Sequence, residues 1–318
     1  MSTLDTPATR HPKADAPLVH RLWLYQAERF PILKTATLLG IFAAASLSVS
    51  AQLADRPLPP AWTFVVMWLT SLVIFFQMRA CDEWKDLDDD RRYRPERPVP
   101  SGLVSLGLVA SLAFGAGLVA AGLVASVSFG LLVPLVLVWT WLSLMTAEFF
   151  APEWLKARPL LYLVSHMAIM PLIDLLVTAG EWLPFGAPPP GLGLFLALSF
   201  VNGCVLEIGR KVWAPASERE GVETYSGLLG AERAALAWMA TCVVSFVLLV
   251  GVGIALDAMW LVGGLGLAAL ATVLAVGLRF RAEPTPARQK AVDTAAGLWV
   301  FACYAIAGFA PLLLRTVA

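Results

Sequence analysis

Nine apolar runs of membrane-crossing length recur along this chain, at approximately 31–53, 61–80, 102–124, 127–149, 159–180, 190–209, 230–255, 258–278 and 292–314. A helix needs about 17–25 such residues to cross the hydrocarbon core of a bilayer. Inside that core no water satisfies backbone N–H and C=O groups, so apolar segments of this length must be helical. The composition agrees: 58% of residues are hydrophobic, only 14% are charged, and the mean hydropathy is +0.74. A soluble domain is nearer half apolar and about a quarter charged. The expected fold is an all-α integral membrane protein with nine transmembrane helices. Gly and Ala recur within the runs, as in Ala113 to Gly122 and Val262 to Ala271, and small residues let helices approach closely in lipid.

Lys and Arg orient the bundle, because cytoplasmic connections carry the excess of both. With the N-terminus inside, all but two of the 23 Lys and Arg residues fall on the inner side, leaving Arg56 and Arg315 outside. One helix more or fewer would scramble this alternation, so the reading is N-in and C-out. Residues 1–20 read as a disordered cytoplasmic tail, polar and without the apolar core of a signal peptide. Residues 21–318 form the membrane domain. Cys81, Cys204, Cys242 and Cys303 make no CxxC pair, so neither disulfides nor a cysteine metal site is expected.

The second and third apolar runs are separated by a dense charge cluster. Six carboxylates lie between Asp82 and Asp90, and Arg91, Arg92, Arg94 and Arg97 follow. Each charge carried to the bilayer centre costs several kcal/mol, which places the cluster at the water boundary. Nothing before Pro95 breaks a helix, so the second helix is expected to continue into the cluster. Asp82, Asp86 and Asp90 then share one face at i, i+4, i+8. A stripe of carboxylates repels itself unless a cation sits against it. Oxygen-only ligands suit Mg²⁺, which binds through one or two carboxylates plus substrate phosphates, and Arg91, Arg94 and Arg97 are donors for the same phosphates. An ordinary solvated loop is the plainer alternative, but six acids in nine residues oppose the usual cytoplasmic composition.

At these residues the chain resembles the UbiA superfamily of intramembrane prenyltransferases. Their first signature is Asn-x3-Asp-x3-Asp, then Arg, then Arg-Pro-x-Pro-Ser-Gly. Here it reads Asp82-x3-Asp86-x3-Asp90-Arg91, then Arg97-Pro98-Val99-Pro100-Ser101-Gly102, with the opening Asn replaced by Asp82. The resemblance implies a nine-helix bundle around a central cavity with a cytoplasmic polar cap. It also implies Mg²⁺-dependent ionisation of an isoprenyl diphosphate and transfer of the prenyl group to an acceptor. The physics agrees, since diphosphate departure builds negative charge that Mg²⁺ and Arg stabilise.

The family's second Asp-rich motif follows its sixth helix, and there the pattern departs. Anchored on Gly221-x-x-Thr224, the two expected aspartates fall at Trp213 and Ser217. Glu207 and Glu218 are the substitutes, with Arg210 and Lys211 offered directly to the diphosphate and Tyr225 as a hydrogen-bond donor. Glu207 and Arg210 are also spaced for a purely structural pair. Both large connections end in Ser-Gly-Leu, at Ser101 and Ser226, which reads either as two independent Ser N-caps or as an old duplication.

Lys156 and Arg158 occupy the place of a basic pair that family members carry before the fifth helix, though positive-inside anchoring explains them equally. His166, Asp174 and Asn202 are polar residues inside apolar runs, where such groups face a cavity or bond between helices. The leading expectation is transfer from an isoprenyl diphosphate to an aromatic or other lipophilic acceptor, with no nucleic-acid partner, in a bacterial inner membrane with the site facing the cytoplasm. Two alternatives stay open. The allylic cation cyclises without an acceptor, making a membrane terpene cyclase, or the charges bind an anionic lipid for transport.

Overall fold

The computed structural model describes residues 11–315. The helices in chain order are α1 (Leu18–Arg29), α2 (Ile32–Leu53), α3 (Ala61–Lys85), α4 (Leu87–Tyr93), α5 (Leu106–Val127), α6 (Leu132–Thr146), α7 (Pro152–Lys156), α8 (Pro159–Met167), α9 (Ile169–Trp182), α10 (Leu192–Arg210), α11 (Tyr225–Leu229), α12 (Ala231–Ala255), α13 (Met259–Ala282) and α14 (Pro286–Arg315). No strand occurs among the described residues. Among the described residues nine spans are long and apolar enough to cross a membrane, the fourth opening on a 3₁₀ turn before α6 and the fifth running through α8 and α9. The protein is an all-α integral membrane protein with the expected number of spans.

Several ends differ from the hydropathy reading, each for a local reason. The third span starts at Leu106 because Gly102 takes φ +76° in a turn and Ser105 caps the helix, accepting from Leu108 N at 3.2 Å. The ninth begins at Pro286, since helix continues through charged residues that need not lie in lipid. Of the expected tail, the first ten positions lie outside the described residues. From His11 onward the chain is placed, with His11 N donating to Ser101 O at 2.9 Å, and α1 begins at Leu18.

Neither Ser-Gly-Leu serine is an N-cap. Ser101 Oγ turns back to Arg97 O at 2.6 Å, and Ser226 lies inside α11, where its Oγ accepts from Trp213 N at 2.6 Å. Thr224 caps that helix instead, accepting from Gly227 N at 2.9 Å.

Close packing rests on a few glycines. A Cβ at Gly308 would stand 2.5 Å from the Ala45 Cα, so α14 and α2 touch backbone to backbone. A Cβ at Gly209 would meet Ala296 Cβ at 2.6 Å and Trp238 Nε1 at 2.8 Å, which seats the end of α10 between α12 and α14. At the opposite end of the bundle, Arg56 grips Glu181 through Nε (2.6 Å) and Nη2 (2.9 Å), which accounts for a cation on the side that carries few.

Candidate active site

The acidic stripe forms much as its spacing dictates. α3 ends at Lys85 and α4 starts at Leu87, with only Asp86 between them outside helical geometry. The i→i−4 bonds continue through the junction, Asp86 N to Asp82 O at 2.9 Å and Asp90 N to Asp86 O at 2.8 Å. The three aspartates therefore keep one line, but their surroundings differ. Asp82 is 47% exposed, with Arg79 at 3.4 Å. Asp86 is half-buried, and its carboxyl is pushed up from the ordinary range, first by burial and then by the charges of Asp82 and Asp90, against Lys85 and Arg94. Asp90 is buried and already held by Arg97 at 2.7 and 2.9 Å and by Arg94 at 3.3 Å.

This changes how the stripe is used. Asp90, Arg94 and Arg97 fold the turn onto α4, while Arg91 is exposed and reaches only Asp88 at 3.4 Å. Asp82 and Asp86 are the carboxylates left for a cation. No group of three His, Cys, Asp or Glu among the described residues forms a ready-made cage. Two carboxylates one turn apart nonetheless suit Mg²⁺, which retains waters and takes its remaining ligands from phosphate. Glu83 points away from the stripe and ties down α1 through Arg29 Nε at 2.5 Å.

The second polar connection comes to the same end of the bundle. Ala214 N donates to Gln289 Oε1 at 2.9 Å, and Tyr225 N donates to Lys211 O at 3.0 Å. Glu207 is buried and paired with Arg210 (2.5 Å) and Lys211 (3.0 Å). Arg210 also feels the charge of Asp82, which puts the two connections within electrostatic reach. The Tyr225 hydroxyl is pushed up by burial and then by Glu207. Glu218 accepts the Thr224 hydroxyl on both oxygens at 2.8 Å and so braces the start of α11.

Three residues that hydropathy and motif spacing pass over complete the cluster. Lys85 Nζ lies 2.8 Å from Tyr162 Oη and 3.2 Å from Glu148 Oε1. Glu148 is buried and opens a run of three non-glycine residues in the left-handed region, with φ 49°, 51° and 59° at Glu148, Phe149 and Phe150. Each such residue costs roughly 1–3 kcal/mol and persists only where its surroundings hold it. Tyr162 stacks on His166 with ring centres 3.9 Å apart. Their i, i+4 spacing at the start of an apolar run was the one signal the sequence offered.

The model of the UbiA prenyltransferase family matches residues 39–301. The chain belongs to that family. The apo structure of a UbiA homolog from Aeropyrum pernix K1 shares the fold at 16% identity, with a TM-score of 0.64 over 87% of this chain and 98% of that one. A structure described for digeranylgeranylglyceryl phosphate synthase in membranes is similar at 14% identity and TM-score 0.56, with the same coverage. The diterpene cyclase eriG of Hericium erinaceus is 39% identical over 64 residues, 19% of this chain and 20% of that protein. That match thus spans about a fifth of the cyclase. Members of the UbiA family are prenyltransferases or related cyclases, and this chain has that general character.

Of the other polar positions in this UbiA fold, all but His166 stand apart from the cluster. Lys156 and Arg158 stay on the exposed surface, where Arg158 donates to Trp154 O at 2.8 Å and lies 4.3 Å above its ring. Asp174 is fully buried and held by hydrogen bonds between helices, accepting from Ser46 Oγ at 2.6 Å and Tyr304 Oη at 2.5 Å. Asn202 Oδ1 likewise accepts from Ser245 Oγ at 2.7 Å. Both bond helices together, as polar groups in lipid commonly do. His166 lines a cavity of about 30 Å³ shared with Asp82, Lys85, Cys81 and Leu142.

Proposed function

We infer that the protein ionises an isoprenyl diphosphate at this end of the bundle and transfers the prenyl group to an aromatic or other lipophilic acceptor. The observation that carries this reading is the adjacency of two spaces. The small cavity that Asp82, Lys85 and His166 line shares Cys81 and Leu142 with an apolar groove of about 630 Å³ between α3, α5 and α6. A charged head and a long apolar tail are the two halves of one substrate class; the groove suits the tail, and the carboxylates and cations at its polar end suit the head.

Asp82 and Asp86 would hold Mg²⁺, which supplies charge neutralisation for the departing diphosphate. Arg210, Lys211 and Lys85 add fixed positive charge around the same point, and Tyr225 and Tyr162 present hydroxyls. Arg94 and Arg97 act at one remove by holding Asp90. The apolar walls keep water from the cation. The positive-inside distribution of Lys and Arg supports placing this end at the cytoplasmic face, and the Ala- and Leu-rich composition supports a bacterial inner membrane.

Cyclisation without an acceptor is the second reading. Its support is the stretch 39% identical to a diterpene cyclase, together with the altered second connection. One assay decides. The purified protein is incubated with Mg²⁺ and geranyl, farnesyl or geranylgeranyl diphosphate, with and without aromatic acceptors. Prenylated acceptor supports transfer; pyrophosphate and cyclic hydrocarbon without acceptor support cyclisation. If no diphosphate is consumed, and Asp86→Ala behaves like the wild type, both readings fail and anionic-lipid binding takes their place.

A further inference from the structure

His166 and Glu148 face each other with a proton missing between them. His166 Nδ1 lies 2.9 Å from the backbone carbonyl of Tyr162. A carbonyl only accepts, so Nδ1 carries the hydrogen and Nε2 of the neutral ring is a bare lone pair. Nε2 is buried without a hydrogen-bond partner. Glu148 Oε2 lies 3.8 Å away and is likewise buried without a partner. The other Glu148 oxygen is occupied by Lys85 and by the Tyr162 hydroxyl, each at 3.2 Å. Two acceptors are thus turned toward one another in a dry place, where unmade hydrogen bonds are most unfavourable. One added proton on Nε2 resolves both, giving an imidazolium beside a carboxylate.

The location puts this pair at the candidate site. His166 lines the same small cavity as Asp82 and Lys85, a space of about 30 Å³. The ring is held rigidly by its stack on Tyr162 and by the edge of Phe149, 6.0 Å between ring centres. Phe149 and Glu148 belong to the left-handed run, a backbone arrangement that clusters at sites where geometry is imposed.

Building on the reading of this site as one that ionises an isoprenyl diphosphate, we propose that His166 Nε2 is the base that takes the proton lost as the product forms, with Glu148 as its positioning residue. The allylic C–O bond breaks and its electron pair leaves on the diphosphate. In transfer, a C–C bond then forms from the prenyl carbon to an aromatic carbon. The C–H bond at that carbon breaks, its pair restores the ring, and the proton passes to Nε2. In cyclisation the C–H bond beside the final cation breaks, its pair becomes a C=C bond, and the proton goes to the same nitrogen. The Glu148 carboxylate holds the imidazolium until the proton leaves with the departing diphosphate.

The test uses the full-length protein with Mg²⁺ and whichever isoprenyl diphosphate the wild type consumes. His166→Ala is expected to lose native product at least tenfold and to lose less of its pyrophosphate release. The difference should appear as prenyl alcohol from water capture of the cation. Added imidazole should restore native product in His166→Ala and have no effect on the wild type. Glu148→Gln is expected to lower kcat for native product with little change in KM for the diphosphate. If His166→Ala does not fold, His166→Gln is judged by its product ratio. Native product formed at the wild-type ratio overturns the proposal. So does a folded His166→Ala that releases no pyrophosphate and does not respond to imidazole. A wild type that consumes no diphosphate overturns the underlying reading instead, and that outcome is distinct because the wild type itself is then inactive.

Discussion

The ring of Tyr93, at the end of α4, lies against Gly221 in the connection between α10 and α11. A Cβ at Gly221 would stand 2.6 Å from the Tyr93 Cε2 and Cζ atoms. The first polar connection is thereby keyed to the second, and the keying requires a residue without a side chain. Gly221 also sits at φ +74°, where other residues are strained.

Gly221→Ala is accordingly expected to destabilise the join between the connections by about 1–3 kcal/mol. Most of the effect should be local, because the helices are held by packing far from this point. The check is a thermal-unfolding scan beside an assay of diphosphate consumption. Activity should fall more steeply than the unfolding temperature, and equal falls in both would show that the contact is not local.

Asp86 and Asp90 are one turn apart yet should respond oppositely to substitution. Asp90 is buried between Arg94 and Arg97, and removing one partner of a buried pair costs about 3–5 kcal/mol. Asp90→Ala should therefore lose stability and activity together. Asp82→Ala and Asp86→Ala remove groups without such a partner network, and should abolish Mg²⁺-dependent turnover while leaving the unfolding temperature near that of the wild type. A stable, inactive Asp90→Ala would show that Asp90 is itself a metal ligand.

The raised carboxyl of Asp86 has a pH signature. Burial and neighbouring carboxylates favour its protonated form, so a proton competes with a cation there. Mg²⁺ needed for half-maximal activity should rise as pH falls, beginning at a higher pH than an ordinary aspartate would show. The stability effect has the opposite sign. With its folded pKa above the unfolded value, Asp86 contributes stability at acid pH that is lost as pH rises through the folded pKa. Mg²⁺ should offset that loss. Unfolding scans with and without Mg²⁺ across the carboxyl range decide, and parallel curves would rule out cation binding at Asp86.

How much of this was legible in the sequence follows from the range of each interaction. The nine spans were, because each is a continuous stretch of apolar residues. The line of Asp82, Asp86 and Asp90 was too, since i→i−4 bonding carries it through the α3–α4 junction. The capture of Asp90 by Arg97 was not, because it depends on the turn that brings Arg97 N to Arg94 O at 3.0 Å. Asp174 and Asn202 were recognised as polar residues in lipid, but their partners come from helices more than 40 positions away in sequence. Glu148 was hidden at the end of an apolar run, and only the tertiary fold sets it beside His166 and Lys85.

The groove between α3, α5 and α6 yields the last expectation. Its walls are apolar apart from Ser143 and Gln77, and Gln77 bridges two helices, accepting from Trp139 Nε1 at 2.9 Å and donating to Ala113 O at 3.2 Å. Ala110 is exposed on the groove wall, so a larger side chain there enters open space and leaves the packed interior alone. Burying one methylene is worth about 0.8 kcal/mol, so displacing even two carbons of a bound chain changes affinity by roughly tenfold. Ala110→Trp should therefore raise KM for geranylgeranyl diphosphate about tenfold or more and change that for geranyl diphosphate little. Competition between the two substrates, measured by product ratio, reads this directly. An unaltered ratio would mean that the chain runs elsewhere in the bundle and that the groove belongs to the lipid.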